Sequence, residues 1–167
     1  MNSKEAIRSQ YRATLEMLKK TITQCPESLW DAAADKNKFW HIAYHVLFFT
    51  HLHLQHSEKE FTPWMKHREQ YQFFGQSALA SARQTQIGEP YSKEDVLAYL
   101  EVCREQVEEK VAAVDLDAES GFFWLPFSKL ELQLYNIRHI QHHTGELMER
   151  LGMRENIEVD WVAMKSD

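Results

Sequence analysis

A chain of 167 residues, 44% hydrophobic and 26% charged, is long enough for one domain with a core of its own, and its composition excludes disordered and fibrous classes. A net charge of −6, with no basic cluster larger than Lys19-Lys20, argues against a nucleic-acid partner, because phosphate binding needs grouped Lys and Arg. A membrane span is not expected either: the apolar run Ile42 to Phe49 is broken by Tyr44 and His45 and falls far short of the ~18 residues required.

Met1 to Glu5 opens directly into charged sequence without an apolar leader, so a cytoplasmic address is expected. In that setting Cys25 and Cys103 are expected to be free thiols outside any site, since their spacing matches no metal or redox motif. Five Gly and four Pro, with no alternating run of Val, Ile and Thr, predict an all-α chain. The first predicted helix starts after Ser3 as N-cap, places Ile7, Tyr11, Leu15, Leu18 and Ile22 at spacings of three and four, and ends near Cys25-Pro26.

The second predicted helix runs from about Asn37 to His56. Its apolar residues, Phe39, Trp40, Ile42, Val46, Leu47, Phe48, Phe49, Leu52 and Leu54, lie nearly all round the cylinder. Such a helix is buried on more than one side, by a second subunit or by the loop that follows it. Ser57 to Tyr91, with Pro63, Gly75, Gly88, Pro90 and several aromatic residues, reads as a long connection holding one or two short helical pieces.

The third predicted helix begins at Ser92, where Ser92 and Asp95 resemble a capping box, and continues through Val96, Leu97, Leu100, Val107 and Val111 to about Val114. After a break at Asp115 to Gly121 and an aromatic loop, Phe122 to Phe127, the fourth takes Ser128 to about Leu151, with Gly152 as its C′ residue. The tail bearing Ile157, Val159, Trp161 and Val162 is expected to lie back on the bundle. Four long helices with at least one long crossover predict a single four-helix bundle domain over residues 1–167, a fold whose core often builds metal sites from facing helices.

Candidate chemistry lies in the histidines, of which the chain has nine. His139 and His143 sit four residues apart on one helix face, so both rings can reach one ion. On a 100° projection they fall at the edge of the apolar stripe, beside Asn136 and Leu147, while His45 shares a face of the second helix with Ile42, Phe49 and Leu52. Three inward-facing imidazoles need hydrogen bonds or a metal, and three nitrogens suit a divalent ion such as zinc, nickel or iron. A His-x-x-x-His pair alone is more often a polar-face or core feature, and His41 with His45 forms another such pair. His142 projects about 80° from the His139/His143 axis and is expected to be exposed or to support a ligand. His51, His53, His56 and His67 are expected at surface, loop or interface positions. Glu146, three residues after His143, is a candidate base or a hydrogen-bond partner for a ligand ring.

Taken together, Phe39-Trp40-His41-Ile42-Ala43-Tyr44-His45-Val46, His139-Ile140-Gln141-His142-His143-Thr144-Gly145-Glu146-Leu147 and the late Trp161 resemble the DinB/YfiT-like superfamily of metal-binding bundles. The resemblance implies a long crossover between the second and third helices, and a divalent metal on His45, His139 and His143. Nickel or zinc is implied first, then iron or manganese. It also implies a homodimer and either of two activities on a small electrophile: metal-dependent hydrolysis, or transfer dependent on a low-molecular-weight thiol. Thr144 and Glu146 stand where relatives often carry Arg and Gln. The alternative expectation is a non-catalytic dimeric bundle, a stress-related binding or structural module whose metal is structural or absent.

Overall fold

The computed structural model describes residues 2–74 and 87–164 of the chain. Among these residues are five α-helices, α1 (Ser3–Gln24), α2 (Glu27–Trp30), α3 (Phe39–His53), α4 (Lys93–Ala113) and α5 (Lys129–Glu155). Among the described residues there is no strand, and a single isolated bridge joins Glu119 to Ser128. A single 3-10 turn, Glu58–Glu60, follows α3. Part of the expected connection, including Gly75, lies outside the described residues.

The bundle is all-α, as expected, and its four long helices form a ring in which α1 packs on α4 and α5, and α3 packs on α4 and α5. Polar contacts at the ends give the directions. Lys4 Nζ donates to Ala112 O and Lys93 Nζ to Cys25 O, so α1 and α4 are antiparallel. Gln55 meets Lys129 after the end of α3, while Arg150 near the end of α5 meets Asn37, so α3 and α5 are antiparallel as well. The neighbours α3 and α4 run the same way. A short turn cannot join parallel neighbours, and the chain from 54 to 92 serves as the long crossover expected between the second and third long helices.

That crossover also explains the apolar girth of α3. Trp64 stacks on Tyr99 with ring centroids 4.7 Å apart, Tyr91 stacks on Tyr44 at 4.7 Å, and Phe61 packs edge-on to Phe48 at 5.2 Å. Arg68 lies over the Tyr91 ring, 4.6 Å from its centroid. The face of α3 turned away from the other long helices is therefore covered by its own chain. Phe61 of this cover also packs on His51, while Phe122 and Tyr135 pack on His53, so both are buried against the expectation of surface or interface positions: His53 is only 3% exposed and His51 contacts the Tyr99 hydroxyl.

Helix ends depart from expectation in small ways with clear causes. Asn2, not Ser3, caps α1, in a complete box with Glu5, because its side chain accepts from the Glu5 amide while Glu5 accepts from the Asn2 amide. Ser92 caps α4 by accepting from the Asp95 amide. Helix α5 runs through Gly152 to Glu155 and stops where Asn156 takes the left-handed conformation, φ 54°. The extra turn brings Arg154 to Asp35. Residues 27–30 form the short helix α2, which periodicity did not single out. In the tail, Val159 and Ile157 touch the core, whereas Trp161 is 70% exposed rather than laid against the bundle.

Cys25 and Cys103 are free and buried, and burial pushes the Cys25 thiol up to about 12 and that of Cys103 further still. No described helix is long and apolar enough to cross a membrane.

Candidate metal centre

Antiparallel packing of α3 on α5 brings together residues from the two halves of the sequence. His45, in the middle of α3, faces His139 and His143, one turn apart on α5, and one ring nitrogen of each lies within 4.8 Å of the other two. His45 Nε2 and His139 Nε2 are 3.1 Å apart. His41, the neighbour of His45 one turn earlier, does not join them. Its Nε2 is 2.8 Å from the Tyr71 carbonyl and is used there.

Two of the three rings are oriented from outside. His45 Nδ1 donates to the Gln72 carbonyl at 2.7 Å, which fixes the proton on that nitrogen and leaves Nε2 bare. His143 Nδ1 lies 3.0 Å from Glu146 Oε2, so its Nε2 is likewise the atom free to ligate. His139 Nδ1 is buried without a partner among the described residues, and so is Asn136 Oδ1, one turn earlier on α5. The Asn136 amide donates to the Thr50 carbonyl and ties α5 to α3 below the cluster.

Burial dominates the electrostatics. Desolvation pulls the His45 imidazole down to about 3 and that of His139 to about 2, with the neighbouring rings adding to the effect for His139. His143 is lowered as well, against the raising influence of Glu146. All three rings are therefore neutral at pH 7, and each keeps one nitrogen lone pair available to a cation. Apolar groups line the other sides: Phe74 stacks on His45 at 4.0 Å and Phe49 packs on both His45 and His139. An open cleft of about 200 Å³, lined by Tyr135, Arg138, His139 and His142, adjoins the cluster on the α5 side.

The donor set fits a divalent cation: three convergent neutral nitrogens, two of them with their far nitrogens hydrogen-bonded in the manner of metal-ligating histidines. Among the described residues no fourth His, Cys, Asp or Glu belongs to the group. Glu146 stays outside it because its oxygens are taken by His143 and, at 2.7 Å, by Arg150. His142 is exposed, and its ring meets that of His143 edge-on.

Sequence reasoning missed the Gln72 carbonyl, Phe74 and the Arg150 contact. Only the last had a readable sign, the spacing of four between Glu146 and Arg150. Comparison with curated proteins finds no match, nor does comparison with solved structures. A family model described as the DinB superfamily matches residues 10–147, a span that includes all three histidines.

Proposed function

The chain belongs to the DinB superfamily, and from that premise we propose that it is a metal-dependent enzyme acting on a small electrophile, either as a hydrolase or as a transferase using a low-molecular-weight thiol. The observation that carries this reading is a cluster of three neutral imidazoles with no fourth protein ligand among the described residues. Three protein nitrogens leave coordination positions open, as in catalytic sites, whereas structural sites are closed by four.

His45, His139 and His143 would hold the ion, with nickel or zinc favoured over iron or manganese by the nitrogen donors. When bound, such a cation supplies Lewis acidity, which polarises an electrophile and lowers the pKa of an attacking water or thiol. The chain's own residues do the rest. Gln72 and Glu146 hold the His45 and His143 rings with their bare nitrogens inward, and Phe49 and Phe74 exclude water from one side. In this reading Glu146, a candidate base on sequence grounds, acts through His143. A small substrate enters along the cleft lined by Tyr135, Arg138 and His142.

The non-catalytic dimeric module drew its support from the apolar girth of α3. The crossover accounts for that girth within one chain, so the observation no longer favours it. A homodimer remains part of the proposal, and sedimentation equilibrium tests it.

The deciding experiment is metal analysis of protein purified without a histidine tag and incubated with zinc or nickel. Esterase and thiol-transfer screens with and without chelator follow. One equivalent of metal is expected, with turnover lost to chelator and restored by the ion. His139→Ala should abolish uptake; unchanged stoichiometry in that variant sinks the triad.

A further inference from the structure

We propose that Asp35 and Arg150 form an ionic relay that holds Glu146 on His143, and so position the third imidazole with its Nε2 nitrogen bare. The purpose of the relay rests on the metal reading above, but the relay itself is a property of the metal-free protein.

Glu146 Oε2 accepts from His143 Nδ1 at 3.0 Å, and its other oxygen accepts from Arg150 Nη2 at 2.7 Å. Arg150 is held from the opposite side by the segment between α2 and α3: its Nη1 donates to the Asn37 carbonyl at 2.7 Å and forms an ion pair at 3.6 Å, without a hydrogen bond, with Asp35 Oδ2. Asp35 in turn accepts from Arg154 through Oδ1. The Asp35 side chain is only 5% exposed, so this is not a loose surface pair.

An isolated i,i+4 pair on a helix surface contributes only a few tenths of a kcal/mol and fixes nothing in place. What distinguishes this one is the shape of guanidinium. A planar fork oriented by the Asn37 carbonyl and attracted by the buried Asp35 carboxylate on one side presents its remaining N–H groups in a set direction, which a flexible ammonium would not do. Without that grip, Glu146 is exposed enough to turn towards water. His143 would then lose the acceptor that keeps its proton on Nδ1, and a ring protonated on Nε2 cannot ligate through that atom. Partners of this kind are worth about 10- to 100-fold in metal affinity.

The test uses metal-free, ¹⁵N-labelled full-length protein and long-range ¹H–¹⁵N correlation spectra of the imidazoles, followed by zinc titration against a chromophoric chelator. In the wild type His143 should be the Nδ1–H tautomer. Arg150→Gln and Asp35→Asn should shift it to a mixture and raise the zinc dissociation constant about 10-fold. Arg104→Gln, which breaks an ion pair with Glu16 on the far side of the bundle, should change neither. Asp35→Asn can still accept from Arg154 and carries the test if Arg150→Gln does not fold, as judged by circular dichroism. Wild-type tautomer and affinity in the folded variants overturn the relay, and so does a wild-type His143 already protonated on Nε2. A tautomer that responds as expected in a protein that takes up no zinc supports the relay and removes the metal reading instead.

Discussion

His45 Nε2 and His139 Nε2 face each other at 3.1 Å, and the Gln72 carbonyl decides which of them holds the proton. Because His45 donates through Nδ1, its Nε2 is bare and accepts, so His139 is the ring that donates through Nε2. The His139 Nδ1 lone pair then has no partner among the described residues. The pair is thus neutral, internally hydrogen-bonded and poised to exchange one proton position for a cation.

Stability should fall with acid well before the carboxylates titrate. Burial depresses His45 to about 3 and both His51 and His53 to about 4, against 6.5 for an ordinary imidazole. Below pH 6.5 the unfolded chain therefore binds more protons than the folded one. The contribution of these rings is complete above pH 6.5 and is lost progressively as pH falls towards 4 and 3. Thermal melts of chelator-treated protein at pH 7.5, 6.5, 5.5 and 4.5 should show a level midpoint at the first two and a falling one after. A level midpoint down to pH 4.5 contradicts the burial of these histidines.

Zinc should protect the fold in proportion to its binding. A ligand that binds only the native state at 100 times its dissociation constant stabilises by about 2.7 kcal/mol. A rise in melting temperature with zinc is expected for the wild type and absent from His45→Ala. An equal rise in both would place the ion elsewhere.

Lys129 should be among the costliest polar residues to replace. It is buried, and its ammonium donates to the carbonyls of Gln55, His56 and Ser120 while lying 5.3 Å from the centre of the Phe122 ring. Lys129→Met keeps much of the stem and removes the donor, leaving those carbonyls unpaired, at a cost of roughly 3 kcal/mol. Urea denaturation gives the value; a loss under about 1 kcal/mol would mean that water takes over the carbonyls.

Two glycines should answer alanine in opposite ways. Gly121 has φ +84°, and a Cβ there would stand 2.1 Å from the His56 carbonyl oxygen, so Gly121→Ala should destabilise by more than about 2 kcal/mol. Gly145 sits in the middle of α5 with open space where its Cβ would be. Gly145→Ala should stabilise by about 0.5–1 kcal/mol and leave zinc affinity unchanged. A destabilised Gly145→Ala would show that the exposed face of α5 is not free.

Periodicity carried α1, α4 and α5 because each keeps an apolar stripe at the 3.6 repeat, α3 was legible as a long apolar run, and the His139/His143 pair followed from spacing alone. His45 was a weaker inference. Nothing local to residue 45 distinguishes it from His41, and only the packing of α3 on α5 separates a ring that meets His139 from one held by Tyr71. His51 and His53 were misjudged for a related reason: Phe61 and Tyr99 cover the first and Phe122 and Tyr135 the second, all from outside α3, where its own period says nothing. Gly152 illustrates the limit at helix ends. A glycine permits a left-handed residue without requiring one, and the ion pair of Arg154 with Asp35 lies beyond local pattern.

Helices with apolar seams can slide, since one leucine contact replaces another at little cost. The α3–α5 seam is pinned by contacts that have no equivalent one residue along: Lys129 on Gln55 and His56, and Asn136 on Thr50. A one-residue slip displaces a helix by about 1.5 Å along its axis, many times the ~0.2 Å within which metal–ligand distances must fall. These buried polar residues thus act as the gauge blocks of the site, and its dimensions are set from about one to three turns away from the imidazoles themselves.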